Sequence, residues 1–411
     1  MKPTPVIEVS VWGKKAGALA ADPQLGCYAF AYTPEWKRSG VELAPLTMPI
    51  EDRRMAFVFP NLPDATFHRL PAMLADALPD DFGNALIDAW MAMHGVDQSS
   101  VTVLDRLAYM GKRGIGALEF RPARGSYKES AAPIAMKSLV EEARKLVHGN
   151  LAVDREAHAA LANIIKVGTS AGGARAKAVI AWNPKTNEVR SGQVKAPPGF
   201  EYWLLKFDGV SNNTDRDLAD PHGFGAIEYA YSLMGRAAGI RMAECRLFEE
   251  SGRRHFMTRR FDRLDGGEKL HMQSLAALAH FDFNNPVAHS YEQALIVIRR
   301  LGLSMDNIEE QFRRMVFNVI ARNQDDHVKN IALLMDRQGR WSLSPAFDVM
   351  YAYNPSGVWT AVHQMSLAGK RDGFILKISL QFINLILSCS AFLGAFRQPW
   401  GVQYTSLDWC T

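Results

Sequence analysis

The sequence predicts an α+β fold in three parts: a small N-terminal α/β subdomain, a β-rich lobe and a helical lobe. Three observations carry this. Short alternating runs dominate the first third and recur between residues 178 and 257. Apolar residues at helical spacing prevail after about 263, around a polar loop at 323–330. A Pro, Gly, Ser and charge-rich stretch, Pro122 to Pro133, separates the first part from the second, as linkers do. The implied division is 1–115 for the N-terminal subdomain, 116–135 for a linker, 136–262 for the β-rich lobe, 263–372 for the helical lobe and 373–411 for a tail.

The elements follow from local patterns. Val6 to Val11 alternates like a strand, as do Tyr28, Phe30 and Tyr32, while Leu74, Leu78, Phe82, Leu86 and Trp90 can share one helical face. Ala178–Trp182 and Tyr202–Phe207 read as strands. Residues 224–238 have a helical pattern that Gly239 can cap. Arg246–Phe248 and His255–Met257 read as a hairpin ending at Arg260-Phe261-Asp262. Phe312, Met315, Val316, Val319 and Ile320 predict a buried helix, Ile331–Met335 a strand, Asp336–Gly339 a turn and Trp341–Leu343 the return strand.

Composition bounds the function. The chain has 411 residues, enough for two or three domains, with 48% hydrophobic and 22% charged residues, as in ordinary globular proteins. A net charge of +4 is too mild to imply nucleic acid by itself, and the arginine pairs at 253–254, 259–260, 299–300 and 313–314 are scattered. Cys27, Cys245, Cys389 and Cys410 form no Cys-x-x-Cys pair, which argues against a zinc site or disulfide framework and suits a reducing compartment. No apolar signal segment opens the chain. From Gly373 onward the only charges are Lys377, Arg397 and Asp408, and Ile378 to Phe396 carries none. That run is long enough to span a bilayer, but five polar residues interrupt it. A buried or partner-covered helix is a second reading, and a segment foreign to the ancestral protein is a third, favoured by the abrupt change in composition.

The loop Asn323-Gln324-Asp325-Asp326-His327-Val328-Lys329-Asn330 carries the chemistry. It offers a carboxylate, an amide five residues on and, eighteen residues after that, Asp348 beyond a hairpin. This is the kit of metal-assisted phosphoryl transfer: an Asp that takes the substrate hydroxyl proton, an Asn on magnesium and a second Asp on magnesium. The spacing of five selects Asp325 over Asp326. Helix, polar loop, hairpin and Asp follow one another as in a kinase catalytic lobe, so the fold expected is protein-kinase-like and bilobal. Val167 to Lys177 is a second glycine-rich feature. It contains Gly-x-Ser-x-Gly, but a β-branched strand follows the serine where a hydrolase elbow needs a helix. Gly168 and Gly173 have Walker A spacing, but Ala174-Arg175 stands where Lys-Ser/Thr is required. A third reading is a loop between strands whose amides approach nucleotide phosphates, with Lys206 in a nearby strand contacting them.

These motifs together resemble the HipA family of serine/threonine kinases, toxins of bacterial type II toxin–antitoxin pairs. The resemblance spans about residues 4–372. Ser170, Gly173, Ala174 and Lys177 meet its Ser-x-x-Gly-Ala-x-x-Lys; Lys206 meets its strand lysine; Arg260-Phe261-Asp262 meets its hinge. Asp325, His327, Lys329 and Asn330 meet Asp-x-His-x-Lys-Asn, and Asp348 lies in Pro345-Ala346-Phe347-Asp348. Phe67-x-x-Leu70-Pro71-Ala72, Leu78-Pro79-Asp80-Asp81 and Met365-Ser366-Leu367-x-Gly369-Lys370-Arg371 also resemble family signatures. The resemblance implies an ATP- and Mg2+-dependent cytoplasmic protein kinase with Asp325 as catalytic residue. It implies nucleotide contacts from Gly172, Gly173, Ala174, Arg175, Ala176, Lys177, Lys206, Arg259, Arg260, Phe261, His327, Lys329, Asn330, Phe347 and Asp348, with Asn330 and Asp348 on the metal. It further implies autophosphorylation at Ser170, a small DNA-binding HipB-like antitoxin through which DNA is reached, a translation-related protein substrate and no membrane. At the tail the sequence departs from the family, whose members usually continue with charged amphipathic helices. The rival expectations are a catalytically silent co-repressor on an antitoxin–DNA complex and a small-molecule phosphotransferase.

Overall fold

The computed structural model of the protein describes residues 4–123, 133–147, 176–210 and 223–374. Chain order begins with β1 (Val6–Val11), β2 (Lys14–Asp22) and β3 (Cys27–Tyr32). Five helices follow: α1 (Pro34–Arg38), α2 (Asp64–Phe67), α3 (Ala72–Ala75), α4 (Asp81–Met93) and α5 (Val103–Met110). β4 (Leu118–Arg121) then returns to pair antiparallel with β1, giving the sheet order β3-β2-β1-β4. The strand that closes the N-terminal sheet therefore lies past residue 115, inside the stretch read as a linker. No periodicity marks it, because a four-residue strand is shorter than the window that periodicity needs.

The single helical stripe expected over Leu74–Trp90 is two helices. Pro79 interrupts it, and the Asp80 side chain caps α4 by accepting from the Gly83 amide at 2.7 Å. An N-cap aspartate satisfies an otherwise orphaned helix donor, which fixes where α4 begins.

The second unit contains α6 (Met136–Val147), β5 (Lys177–Asn183), β6 (Glu188–Ser191), β7 (Glu201–Lys206), α7 (Phe224–Ala237), β8 (Cys245–Glu250) and β9 (Arg253–Arg259). Its strands form an antiparallel sheet of order β6-β5-β7-β9-β8. Gly239 follows α7 at φ +77°, as an αL helix terminus requires. One continuous apolar core joins this sheet to the N-terminal subdomain: Phe30, Phe57 and Phe120 belong to the same cluster as Leu139, Trp203 and Leu205. Trp203, Phe30, Phe57 and Phe120 are almost wholly buried, each contributing roughly 1.5–3 kcal/mol or more of transfer free energy. The first two units therefore pack as one body around a shared core.

The remaining described chain holds β10 (His271–Ser274), α8 (Leu275–Ala279), β11 (His289–Ser290), α9 (Tyr291–Arg300), α10 (Met305–Ile320), β12 (Ala332–Met335), β13 (Trp341–Leu343) and β14 (Met365–Ser366). It is more mixed than the helical lobe expected, since β10-β12-β13 form an antiparallel sheet and β11 pairs parallel with β14. Leu278, Tyr291, Ile298, Met315 and Leu333 build its core. Phe312 departs from its expected buried stripe: α10 turns Met315 and Val316 inward but leaves Phe312 51% exposed. Among the described residues, no helix is long and apolar enough to cross a membrane. The tail from 375 onward lies outside the described residues.

Candidate active site

The site forms where the five-stranded sheet meets the loop after α10. Lys206 ends β7, opposite Lys177 on one side and Phe256 on the other. Its ammonium donates to Glu228 Oε1 at 2.7 Å and to Asp348 Oδ1 at 2.6 Å. Burial works against its charge, but the Asp348 and Glu228 carboxylates outweigh it and hold the lysine above its ordinary range. Asp348 is partly buried, its side chain 27% exposed, yet the Lys206 and Lys177 cations keep its carboxyl well below the usual carboxylate range. It is therefore ionised at neutral pH. Asp348 adopts φ +55°, a left-handed conformation that Asp and Asn tolerate better than most side chains.

Lys177, on β5, sits 3.4 Å from Asp80 Oδ2, with both side chains 2% exposed. Burial, with the Lys206 charge adding to it, pushes Lys177 down, while Asp80 opposes the shift. Charges thus alternate through the protein: Asp80, Lys177, Asp348, Lys206, Glu228. The N-terminal subdomain supplies the first of these and α7 the last.

The loop itself is braced at both ends. Tyr231 of α7 donates its hydroxyl to the Ala321 carbonyl at 2.8 Å. The side chains of Asn323 and Asn318 bond at 2.9 Å. Asn330 Nδ2 donates to the Asp325 carbonyl at 3.0 Å, which turns the amide oxygen away from that bond. Adjacent aspartates play different parts. Asp326 is 3% exposed and accepts from the Tyr291 hydroxyl at 2.5 Å, from the Gln364 amide at 2.8 Å and, at 2.9 Å, pairs with His363 Nδ1. The Asp325 side chain remains 26% exposed, with His327 Nε2 at 3.8 Å.

His327, Asn330, Phe347 and Asp348 line one cleft, together with Gln311 and Asn323. Ring centroids of Phe261 and Phe347 lie 5.4 Å apart, joining the Arg260-Phe261-Asp262 segment to the one that carries Asp348. That segment is anchored by Asp262, which binds the Arg260 guanidinium, with Nε–Oδ1 at 2.8 Å, the Arg263 guanidinium at 2.7 Å and the Gly116 amide at 2.7 Å. Burial opposes ionisation of Asp262, but the two arginines hold its carboxyl far down.

Other residues singled out from the sequence lie apart from this cluster. The Arg259 guanidinium is 3.1 Å from Glu244 and 3.9 Å from Glu201. Its backbone amide is used too, bonding the Glu244 carbonyl, and the Arg260 amide bonds the Tyr202 carbonyl. Lys329 lies over the Phe283 ring at 4.4 Å. Ala176 is buried, its carbonyl accepting from the Phe207 amide. Ser170, Gly172, Gly173, Ala174 and Arg175 lie outside the described residues.

Four contributors were not singled out from the sequence: Glu228, Asp80 as partner of Lys177, Asp326 as a buried anchor, and Gln364. A signal for Glu228 existed. The face of α7 that is buried carries Gly225, Glu228, Ser232 and Gly235, so the signal is an acid at helical spacing among small residues, where burial demands a cation. Asp326 and Gln364 are joined only by a long-range fold, and no spacing rule reports that.

Asn330 and Asp348 offer hard oxygen donors in the cleft. Among the described residues no cluster of three His, Cys, Asp or Glu side chains stands ready for a metal. A donor set this small fits magnesium, which keeps several waters and takes further ligands from phosphates.

Two family models align with the chain and define its class: HipA N-terminal domain over residues 7–121 and HipA-like C-terminal domain over residues 169–391. The chain belongs to the HipA family. The second match enters the apolar tail as far as residue 391. Among solved structures, the fold is similar to a Shewanella oneidensis MR-1 toxin–antitoxin complex of HipA, HipB and operator DNA. The match has a TM-score of 0.64 and 16% identity, over 96% of this chain and 85% of that one. No curated protein sequence matches the chain.

Proposed function

We propose that this HipA-family chain is an ATP- and magnesium-dependent serine/threonine protein kinase acting as the toxin of a type II toxin–antitoxin pair. The observation that carries the reading is Lys206 held between Glu228 and Asp348, at 2.7 and 2.6 Å, beside the loop that bears Asp325 and Asn330. A lysine–glutamate pair and a metal-binding Asp, both in place, are what protein kinases require for transfer. In this reading Lys206 and the segment Gly172–Lys177 bind phosphate oxygens. Arg259, Arg260 and Phe261 form the adenine-side hinge through their backbone, and Phe347 extends its apolar wall. Asn330 and Asp348 hold magnesium, which when bound neutralises phosphate charge. Asp325 orients the attacking hydroxyl and accepts its proton, and positioning is its main contribution. Lys329 offsets charge developing on the transferred group, and His327, in the same cleft, braces the loop or touches nucleotide.

Similarity to a HipA that assembles with HipB and operator DNA supports a HipB-like antitoxin as partner here, with DNA reached through it. Ser170 is the proposed site of autophosphorylation, and a translation-related protein the proposed substrate class. The test is incubation of purified protein with Mg-ATP labelled at the γ-phosphate, followed by mass spectrometry. Phosphate on Ser170 or on added protein, lost in Asp325→Ala, supports the reading. Phosphate on small metabolites alone would replace it with a metabolite phosphotransferase, and no transfer at all would favour the co-repressor.

A further inference from the structure

Asp325 and Asp326 are consecutive carboxylates, and one residue touches both. Gln364 donates its backbone amide to Asp326 Oδ1 at 2.8 Å and its side-chain Nε2 to Asp325 Oδ1 at 3.4 Å. It lies 38 positions beyond Asp326, just before β14, and is 5% exposed. Its backbone is fixed from the other side as well, because the Arg371 guanidinium donates to the carbonyls of His363 and Gln364. Asp326 is in turn held by Tyr291 of α9, whose hydroxyl also accepts from Asn318 of α10 at 3.0 Å. A buried carboxylate with three partners has little freedom, since moving any partner strips hydrogen bonds from a desolvated charge. The amide end of Gln364 is therefore delivered to Asp325 from a rigid base.

We propose that Gln364 is a positioning residue for Asp325: it selects the carboxylate orientation competent to receive the substrate hydroxyl, with Asp326 as its anchor. The inference rests on the kinase reading, in which Asp325 takes that proton. It assigns Gln364 no contact with nucleotide. Without the Gln364 donor, the partly exposed Asp325 carboxylate loses one of the contacts that set its rotamer, and a smaller fraction of its conformations faces the substrate. Misplacement of a catalytic group by about 1 Å can cost on the order of a hundredfold in rate.

The experiment compares wild type with Gln364→Leu, which keeps the volume and removes the donor, and with Asp326→Asn, which keeps the anchor's shape and removes its charge. Three quantities are read: kcat for labelled phosphate transfer, KM for ATP, and the melting temperature. The expected result for Gln364→Leu is a fall in kcat of about tenfold or more, with the KM for ATP and the melting temperature nearly unchanged. A purely structural role would lower the melting temperature first. Asp326→Asn is expected to lower kcat as well, together with the melting temperature. Crystal structures of wild type and Gln364→Leu give a reading independent of activity, and Asp325 is expected to change rotamer in the variant. An unchanged kcat, or an unchanged Asp325 side chain, overturns the proposal. Should wild type transfer no phosphate while Asp325 still changes rotamer in Gln364→Leu, the kinase reading fails and the positioning contact stands.

Discussion

Lys206 Nζ lies 2.6 Å from Asp348 Oδ1, and this contact ties the five-stranded sheet to the segment following β13. Glu228 holds the same ammonium from α7 at 2.7 Å. One cation between a buried and a partly exposed carboxylate locks three elements together. Asp348 meanwhile lines the cleft with its carboxyl held ionised.

Removing that cation is expected to be costly. Lys206→Met leaves Glu228 and Asp348 facing each other in a desolvated site. Breaking a buried ion pair from one side typically costs about 3–5 kcal/mol. Urea denaturation of Lys206→Met should show a loss of this order, and Lys206→Met/Glu228→Gln should recover part of it. A single variant as stable as wild type would mean that the triad is solvated in solution and contributes nothing.

Asp348 and Asp325 should separate kinetically. Asp348→Asn keeps a side chain that tolerates φ +55° but removes the charge. Calorimetry should then show ATP affinity reduced and no longer dependent on magnesium. Asp325→Asn should leave affinity within about twofold and lower the transfer rate by about 10²–10⁴-fold, the usual range for a positioned acid–base group. Equal effects of the two variants on binding would merge the roles assigned to them.

The loop at 323–330 is legible in the sequence because its pattern is local. Asp325, His327, Lys329 and Asn330 lie within six positions, and the helix and hairpin around them declare themselves by period. Strands β1, β3 and β5 were equally readable, being alternating or β-branched, and β7 as a short aromatic and apolar run. What stayed hidden depends on tertiary contact. Asp80 caps α4, and its charge also faces Lys177 across the fold. The shared core of the first two units was invisible for the same reason: Trp203 looks like any strand residue and Phe120 falls in a stretch read as a linker, until the sheets pack. The break at Pro79 was the exception, since the proline was present and the apolar stripe overrode it.

The double role of Asp80 can be taken apart. Asparagine caps helices about as well as aspartate, so Asp80→Asn keeps the bond to Gly83 and removes only the charge opposite Lys177. Chemical denaturation is expected to show a loss of about 3–5 kcal/mol for Asp80→Asn, the scale of a broken buried pair. Asp80→Ala should lose about 1 kcal/mol more, the value of the cap. If Asp80→Asn melts with wild type and only alanine destabilises, the cap is the whole contribution and the 3.4 Å pairing carries no stability.

Acid should weaken the protein in two stages, and buried histidines set the first. His271 is fully buried, faces the Leu43 carbonyl from the N-terminal subdomain at 3.3 Å and is pushed down to about 4 by that burial. His280 is pushed to about 4 for the same reason, with its ring 4.6 Å from that of Phe59. Both are neutral in the folded state at pH values where an unfolded chain would charge them. As pH falls from about 6.5 toward 4, the unfolded state binds more protons and stability declines. The linked loss for fully buried His271 is on the order of 3 kcal/mol, less for the partly exposed His280. Asp262 and Asp348 act below that window. Their folded values are depressed, so their contribution is intact above about pH 4 and is lost as pH falls further. Urea midpoints measured from pH 7.5 to 4.5 should therefore fall steadily below about pH 6.5. His271→Gln, which has nothing to titrate in that range, should flatten the slope even if it lowers the midpoint at pH 7.5. An unaltered slope in that variant would show that the junction between Leu43 and β10 opens to water before His271 protonates.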